Sequence, residues 1–305
     1  KKCRIIAMLV LLRNMFGGRS PRRDIDKSRQ PTALITGASS GIGRITATYL
    51  AERGFHVIAT SRSLERLDTL AEEMASRNLA FTPIELDINR NEGVNRVMPG
   101  LIADHGPIDV LINNAAYSLW GPIQTLSISE VKTMFETNYF GAIRMIHSVL
   151  PAMIEQGSGI IINVSSVLGR MATPFNGAYA SSKFALEGMS EALRTEVKPF
   201  GVKVALVEPG LFNTNFQQNT VLAERVDGKE TVYTPLIEGY RKNHDRFQSF
   251  GKDPVKVAKV IHSIIESRNP PFRNPVGADA RAGIFGTRVL PEKIYWPLLD
   301  KATMR

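Results

Sequence analysis

From Ala33 onward, short apolar runs alternate with stretches whose apolar residues recur every three to four positions. The runs predict strands at Ala33–Thr36, His56–Ser61, Phe81–Asp87, Val110–Asn113, Gly159–Ser165 and Lys203–Glu208, with a last one near Asn274–Val276. Most are apolar throughout rather than alternating, which is the pattern of strands covered on both faces. The stretches between them predict helices, among them Tyr179 to about Lys198, which stops near Pro199 and Gly201. Such alternation predicts the α/β class: a doubly wound parallel sheet of about seven strands with helices on both faces. Right-handed crossovers then place the strand carboxyl ends along one edge, with the ligand crevice there. Residues 31–305 read as one domain. Within it, Leu211–Gly251 is long for a connection and predicts a lid or substrate loop. That segment carries Phe212, Phe216, Tyr233, Tyr240, Phe247 and Phe250. Either these rings wall a roomy apolar pocket, or they pack the segment onto the body.

Composition changes this picture little. The chain has 305 residues, 43% hydrophobic and 22% charged, enough for a sizeable core. One cysteine, Cys3, excludes an internal disulfide framework, and the five histidines show no close ligand spacing, so no metal site is expected. The reducing cytoplasm is the expected compartment.

Charge changes it more. The net +9 suggests an anionic partner, but residues 1–30 hold nine Lys or Arg against two Asp, which leaves +2 for residues 31–305. The basic character therefore belongs to a leader, and no nucleic-acid partner is expected. In that leader Ile5–Leu12 is apolar behind Lys1, Lys2 and Arg4, too short to span a bilayer alone. Three readings stay open: an incomplete anchor or signal, a surface-lying amphipathic segment, or untranslated sequence before a start at Met8 or Met15. Membrane contact is expected only through residues 1–30, which otherwise read as disordered.

The first strand runs into Gly37-Ala38-Ser39-Ser40-Gly41-Ile42-Gly43, and a helical pattern follows from Arg44. Glycines here permit a tight turn and close approach of a pyrophosphate to backbone donors at a helix N-terminus. Strand before, helix after and a second strand about twenty residues on make this a Rossmann-type dinucleotide site. The second strand ends Thr60-Ser61-Arg62, with no carboxylate before Glu65. An acid there would bind the ribose hydroxyls of NAD, whereas a guanidinium suits a 2′-phosphate, so NADP(H) is expected over NAD(H).

Tyr179 and Lys183 stand four apart, on one face of the predicted helix. A free phenol titrates near ~10, too high for efficient proton transfer at neutral pH. A neighbouring ammonium favours phenolate, so Lys183 is expected to lower Tyr179 toward the working range. Ser166 follows a buried strand, where its hydroxyl can reach a substrate oxygen. Strand alternation sends the adjacent Ser165 to the opposite face.

The sequence resembles the short-chain dehydrogenase/reductase family, in its compact single-domain subtype, over about residues 31–275. The residues that carry the likeness are Thr36 to Gly43, Asp87, Asn113-Asn114-Ala115-Ala116, Asn138, Ser166, Tyr179-Ala180-Ser181-Ser182-Lys183 and Pro209-Gly210. The resemblance implies hydride transfer between the nicotinamide and a ketone or alcohol, with Tyr179 carrying the proton. It makes Ser166 the partner of the reacting oxygen and gives Lys183 the nicotinamide ribose and the tuning of Tyr179. Asn138 would hold a water linking Lys183 to a proton relay. It also implies cofactor contacts from Gly37, Ser39, Ser40, Gly41, Ile42 and Gly43. Asp87 would contact the adenine, Asn113 would brace the central strand beside the cofactor, Ile88 and Ala115 would contact the cofactor, and Pro209, Gly210 and Thr214 would line the nicotinamide end.

Pro174-Phe175-Asn176 and Lys183 to Gly188 look similar to members acting on steroids and retinoids, which implies a bulky alcohol or ketone as substrate. A homodimer or homotetramer through the helices around Ile128–Gln156 and Tyr179–Lys198 is implied as well. Ala116 departs from the family's usual glycine, a change that matters only if the position needs a positive φ. The alternative function is a cofactor-sensing regulator or membrane-surface protein on the same fold without turnover.

Overall fold

The computed structural model describes residues 25, 28–214, 216, 220–248 and 252–304. The apolar leader segment Ile5–Leu12 lies outside them, as do the side chains of Phe247 and Phe250.

Seven parallel strands form the central sheet: β1 (Thr32–Thr36), β2 (His56–Ser61), β3 (Phe81–Glu85), β4 (Val110–Asn113), β6 (Gly159–Val164), β7 (Val202–Pro209) and β9 (Arg273–Val276). Their spatial order is β3-β2-β1-β4-β6-β7-β9, every neighbouring pair parallel. The order reverses between β1 and β4, and that switch point opens the crevice beyond their carboxyl ends. Two short strands, β5 (Leu119–Trp120) and β8 (Val221–Leu222), pair apart from the sheet. The chain continues through helices α1 (Gly41–Ala51), α2 (Asp68–Ser76), α3 (Asn91–His105), α4 (Ile128–Phe135), α5 (Gly141–Gln156) and α6 (Gly177–Val197). It ends with α7 (Thr234–Gln248), α8 (Val255–Glu266), α9 (Ala278–Val289) and α10 (Glu292–Met304).

The apolar runs serve two cores at once. Within β1, Ala33 and Ile35 join Val57, Ile112 and Ile162 on one face, under Leu50 of α1 and Ile261 of α8. Leu34, between them, turns to the other face with Ile58, Leu111 and Ile161, under Met98, Met145 and Leu193 of α3, α5 and α6. Alternate residues of each strand feed opposite layers, so both must be apolar and no period-two pattern survives in the sequence.

Most expected boundaries fall within two residues of the observed ones. Leu86 and Asp87 continue past β3, with the Leu86 amide still donating to Ser61 O (2.7 Å). The Tyr179 helix starts two residues earlier than expected, at Gly177, and ends in a 3₁₀ turn (Lys198–Phe200) closed by Gly201 at φ 80°. α4 passes into α5 through a π-helical turn, Glu136–Phe140, which contains Asn138. Among the described residues no helix is long and apolar enough to cross a membrane.

Candidate active site

The turn after β1 is shaped by what its glycines leave out. Gly37 (φ 65°) and Gly41 (φ 55°) occupy the left-handed region, where an L side chain is strained. A Cβ on Gly37 would lie 2.8 Å from Ala115 Cα, and one on Gly43 would overlap Gly37 O and crowd Asn114 Nδ2. Asn114 holds the turn in place: its Nδ2 donates to Thr36 O (3.0 Å) and Gly37 O (3.1 Å). Thr36 Oγ1 in turn accepts from the amides of Asn114 (3.0 Å) and Ala115 (3.1 Å). α1 then begins without a side-chain cap and without an acid in its first turn. Its leading N–H groups are thus a site for an anion.

A cleft of about 700 Å³ runs along the carboxyl edge of the sheet. Gly37, Ser39, Ser40, Gly41 and Ile42 border it at the turn. Arg62, just past β2, borders it too, together with Arg66 four residues on, which sequence reasoning did not single out. Asp87 and Ile88 lie on the same rim, the Asp87 carboxylate accepting from Asn89 N (3.1 Å). Ala115 lines the middle; Pro209, Gly210 and Thr214, after β7, line the far end.

Three of the expected residues stand behind the walls rather than in them. Gly43 packs against the turn itself. Asn113 Nδ2 donates to Asn163 Oδ1 (2.8 Å), whose own Nδ2 donates to Ser190 Oγ (2.7 Å), a buried brace from β4 through β6 to α6. Asn138 accepts from Tyr117 N (3.1 Å) and donates to Tyr117 O (2.9 Å) and Ser182 Oγ (3.1 Å). Its amide is engaged in holding the β4–α6 neighbourhood together, and the π turn presents it there.

Tyr179 and Lys183 border the cleft from α6 and are 6% and 2% exposed. Lys183 Nζ donates to Val164 O (2.9 Å) and sits 5.8 Å from the centre of the Tyr179 ring. Ser166 caps the 3₁₀ turn Val167–Gly169, accepting from Leu168 N (3.1 Å). The Ser165 hydroxyl lies instead beside Gly169 and Glu187.

The electrostatics differ from the expectation that Lys183 lowers the phenol. Burial pushes Tyr179 well above its ordinary value, and the Ser166 hydroxyl is what pulls the other way. Burial also lowers Lys183 to about 8, against the negative charge of Glu187, which supports the ammonium. Desolvation outweighs the one opposing neighbour in each case because both groups are almost wholly removed from water.

Five wall residues came from tertiary approach. Trp120 of β5, Met171 after the 3₁₀ turn, and Asp279 and Gly283 of α9 border the reacting end. Tyr240 of α7 does so as well, its hydroxyl bonded to Asn176 Nδ2 (2.9 Å) and Thr173 Oγ1 (3.3 Å). Only Tyr240 carried a signal, as an aromatic in the long segment after β7. Ala116 needs no glycine: among the described residues the positive-φ non-glycines are Asn78 and Phe175. Nor, among those residues, do three His, Cys, Asp or Glu side chains converge as a metal site.

The cleft fits a nicotinamide dinucleotide on these observations alone. It offers a turn that any Cβ would obstruct, an uncapped helix N-terminus, two arginines at the β2 edge, and a buried amine and phenol at the other end. The family model for short chain dehydrogenases matches residues 31–225. The chain belongs to that family.

Its relatives agree. It is 39% identical over 245 residues to a 3-ketodihydrosphingosine reductase of Bacteroides thetaiotaomicron, covering 80% of this chain and 87% of that one. It is 38% identical over 255 residues to retinol dehydrogenase 8 of Bos taurus, covering 79% and 80%. Among solved structures, a short-chain dehydrogenase from Streptomyces avermitilis superposes with a TM-score of 0.77 at 33% identity, over 90% of this chain and 98% of that one. As a family member, the chain is an oxidoreductase that uses a nicotinamide cofactor on CH–OH and C=O groups.

Proposed function

We propose that the chain is an NADP(H)-dependent carbonyl reductase or alcohol dehydrogenase for a bulky, largely apolar substrate, with Tyr179 as the proton-transfer group. One observation carries this reading: the phenol and the amine are buried one helical turn apart in a cleft whose other end is a glycine turn and two arginines. Gly37 to Ile42 and the α1 N-terminus would hold the pyrophosphate, Arg62 and Arg66 the 2′-phosphate, and Lys183 the nicotinamide ribose. A bound nicotinamide supplies or takes up the hydride at its C4.

The protein's own groups handle the proton and the geometry. The Ser166 hydroxyl orients the substrate oxygen, and the Tyr179 hydroxyl gives up its proton in reduction or recovers it in oxidation. Because burial keeps the phenol protonated, the Lys183 charge acts by making its phenolate less unfavourable. Asn138 would act indirectly, fixing Tyr117 and Ser182 beside these groups. Substrate positioning by the walls contributes up to ~7–11 kcal/mol, more than the ~10²–10⁴-fold typical of one acid–base group. Trp120, Leu168, Met171, Phe216 and Tyr240 supply the apolar surface, which supports a bulky substrate, as do the names of the two relatives. Ile128, Phe140 and Phe184 are exposed on α4, the π turn and α6, which supports a homo-oligomer through those helices.

The decisive measurement is a panel of ketones and alcohols, including steroids, retinoids and short aliphatics, with NADPH and NADH in parallel. Tyr179→Phe should lower kcat by at least ~100-fold while the cofactor Kd stays within about threefold. A variant that kept more than a tenth of the wild-type rate on every active substrate would exclude Tyr179 as the proton carrier.

A further inference from the structure

Behind the reacting groups lies a cluster of charges that the reaction above does not use. Glu187 follows Lys183 by one turn on the same face of α6, and its side chain is 5% exposed. Its Oε2 accepts from Arg273 Nε of β9 (3.1 Å). Its Oε1 makes no hydrogen bond and lies beside Gly169, where the Ser165 hydroxyl also lies without a bonded partner. Glu208, near the end of β7, is 1% exposed; it is paired with Arg170 (3.3 Å) and stands 3.8 Å from Arg273 Nε. Glu191, one turn further along the helix, shares Arg273 at 3.0 Å. The groups facing Glu187 are therefore Lys183 and Glu191 from its own helix, Ser165 from the end of β6, Glu208 from β7 and Arg273 from β9, with Arg170 paired to Glu208 behind them.

A buried carboxyl with one oxygen unbonded is costly to ionise, and apolar residues of the same size usually pack such a place at least as well. Its placement is informative. It stands one turn behind the amine that sits under the phenol, and beside the serine adjoining Ser166. We infer that Glu187 is a positioning residue for Lys183: a buried carboxylate, set by Arg273 and Glu208, that keeps the amine charged while it is out of water. This rests on the role given above to Lys183, although the amine can be read without turnover.

Two opposing effects act on Lys183. Burial drives the amine toward the neutral form, and the charge of Glu187 resists it. Glu187 itself is raised to about 7, by burial first and then by Glu208, with Arg273 opposing. Glu187 thus becomes ionised as pH rises toward the range in which Lys183 loses its proton.

The test is the pH dependence of Lys183 acylation by acetic anhydride in the unloaded protein, read by peptide mass spectrometry. The pH dependence of NADPH and NADH binding is measured beside it. Glu187→Gln should move the Lys183 midpoint down by about one pH unit. It should also weaken binding of the cofactor used about tenfold at the alkaline end, with little change at pH 6. Glu187→Asp, which keeps the charge, should restore most of both. An unmoved midpoint in Glu187→Gln overturns the inference, and so does an Asp variant displaced as far as the Gln variant. Should the Gln variant not fold, Glu208→Gln reads the same cluster. Loss of the like charge should let Glu187 ionise at lower pH, so the fall in thermal stability as pH rises above 4.5 should be smaller and end sooner, with the Lys183 midpoint held, and a falling midpoint overturns the inference. If wild type bound neither cofactor, the proposed function would fail while the amine midpoint still decided the role of Glu187.

Discussion

Tyr179 and Lys183 show what one residue pair can and cannot declare. Their spacing of four is enough to put both on one helical face, and α6 does so. The electrostatic sign at the phenol is not readable from spacing, because it depends on how much water the fold removes. At 6% exposure, burial raises Tyr179, with only the Ser166 hydroxyl pulling the other way. Arg62 is the second residue-scale case. Its place after β2, and that of Arg66, give the cleft two guanidiniums on the side where NAD sites carry an acid. Arg62→Ala should raise KM for NADPH at least ~10-fold and change KM for NADH less than about twofold, in steady-state kinetics with one ketone. A wild-type preference for NADH would overturn that role. Gly43 is legible for a steric reason, since a Cβ there meets Gly37 O and Asn114 Nδ2. Gly43→Ala should weaken binding of both cofactors together, measured by fluorescence titration, because the turn must shift to admit the methyl group.

At the scale of elements, apolar runs and glycine stops located the seven sheet strands and α6 well, since burial on both faces demands apolar residues throughout. The two-residue strands β5 and β8 left no such trace. They pair only because the segment after β7 folds back over the reacting end, where Ala223 N donates to Trp120 O (2.8 Å). Tyr240 of α7 completes that closure. Its ring packs against Trp120 (5.4 Å) and Phe175 (5.3 Å), the latter a non-glycine at φ 61°. Such a conformation costs about 1–3 kcal/mol and persists only where surrounding contacts hold it. Tyr240→Phe removes the bonds to Asn176 and Thr173 and should lower stability by about 1 kcal/mol in urea unfolding. The same variant should raise KM for bulky ketones more than it lowers kcat, since Asn176 and Thr173 border the cleft ahead of Tyr179.

For the whole molecule, the buried charges make stability depend on pH in a direction that can be worked out. Glu187 is raised from an ordinary 4.5 to about 7, so its contribution is fully present below 4.5 and is lost as pH rises through about 7. Lys183 is lowered from 10.5 to about 8, so its contribution is present above 10.5 and is lost as pH falls through about 8. Between about 7 and 8 the two groups are both charged, and both oppose folding. Glu187→Gln should therefore raise Tm of the unloaded protein near pH 7.5, with the gap to wild type closing as pH falls toward 4.5. A gap constant across that window, in thermal scans, would mean that Glu187 does not titrate there.

What the chain's order of residues determined alone was local: which runs must be buried, where glycine is obligatory, and which two side chains share a helical face. Those follow from periodicity and covalent geometry, which act over a few residues. The packing decided the rest. It took Asn113, Asn138 and Gly43 out of the cleft wall and brought in Tyr240, Asp279 and Arg66. It also set the protonation of Tyr179, Lys183 and Glu187, because desolvation depends on every neighbour brought near, however distant along the chain.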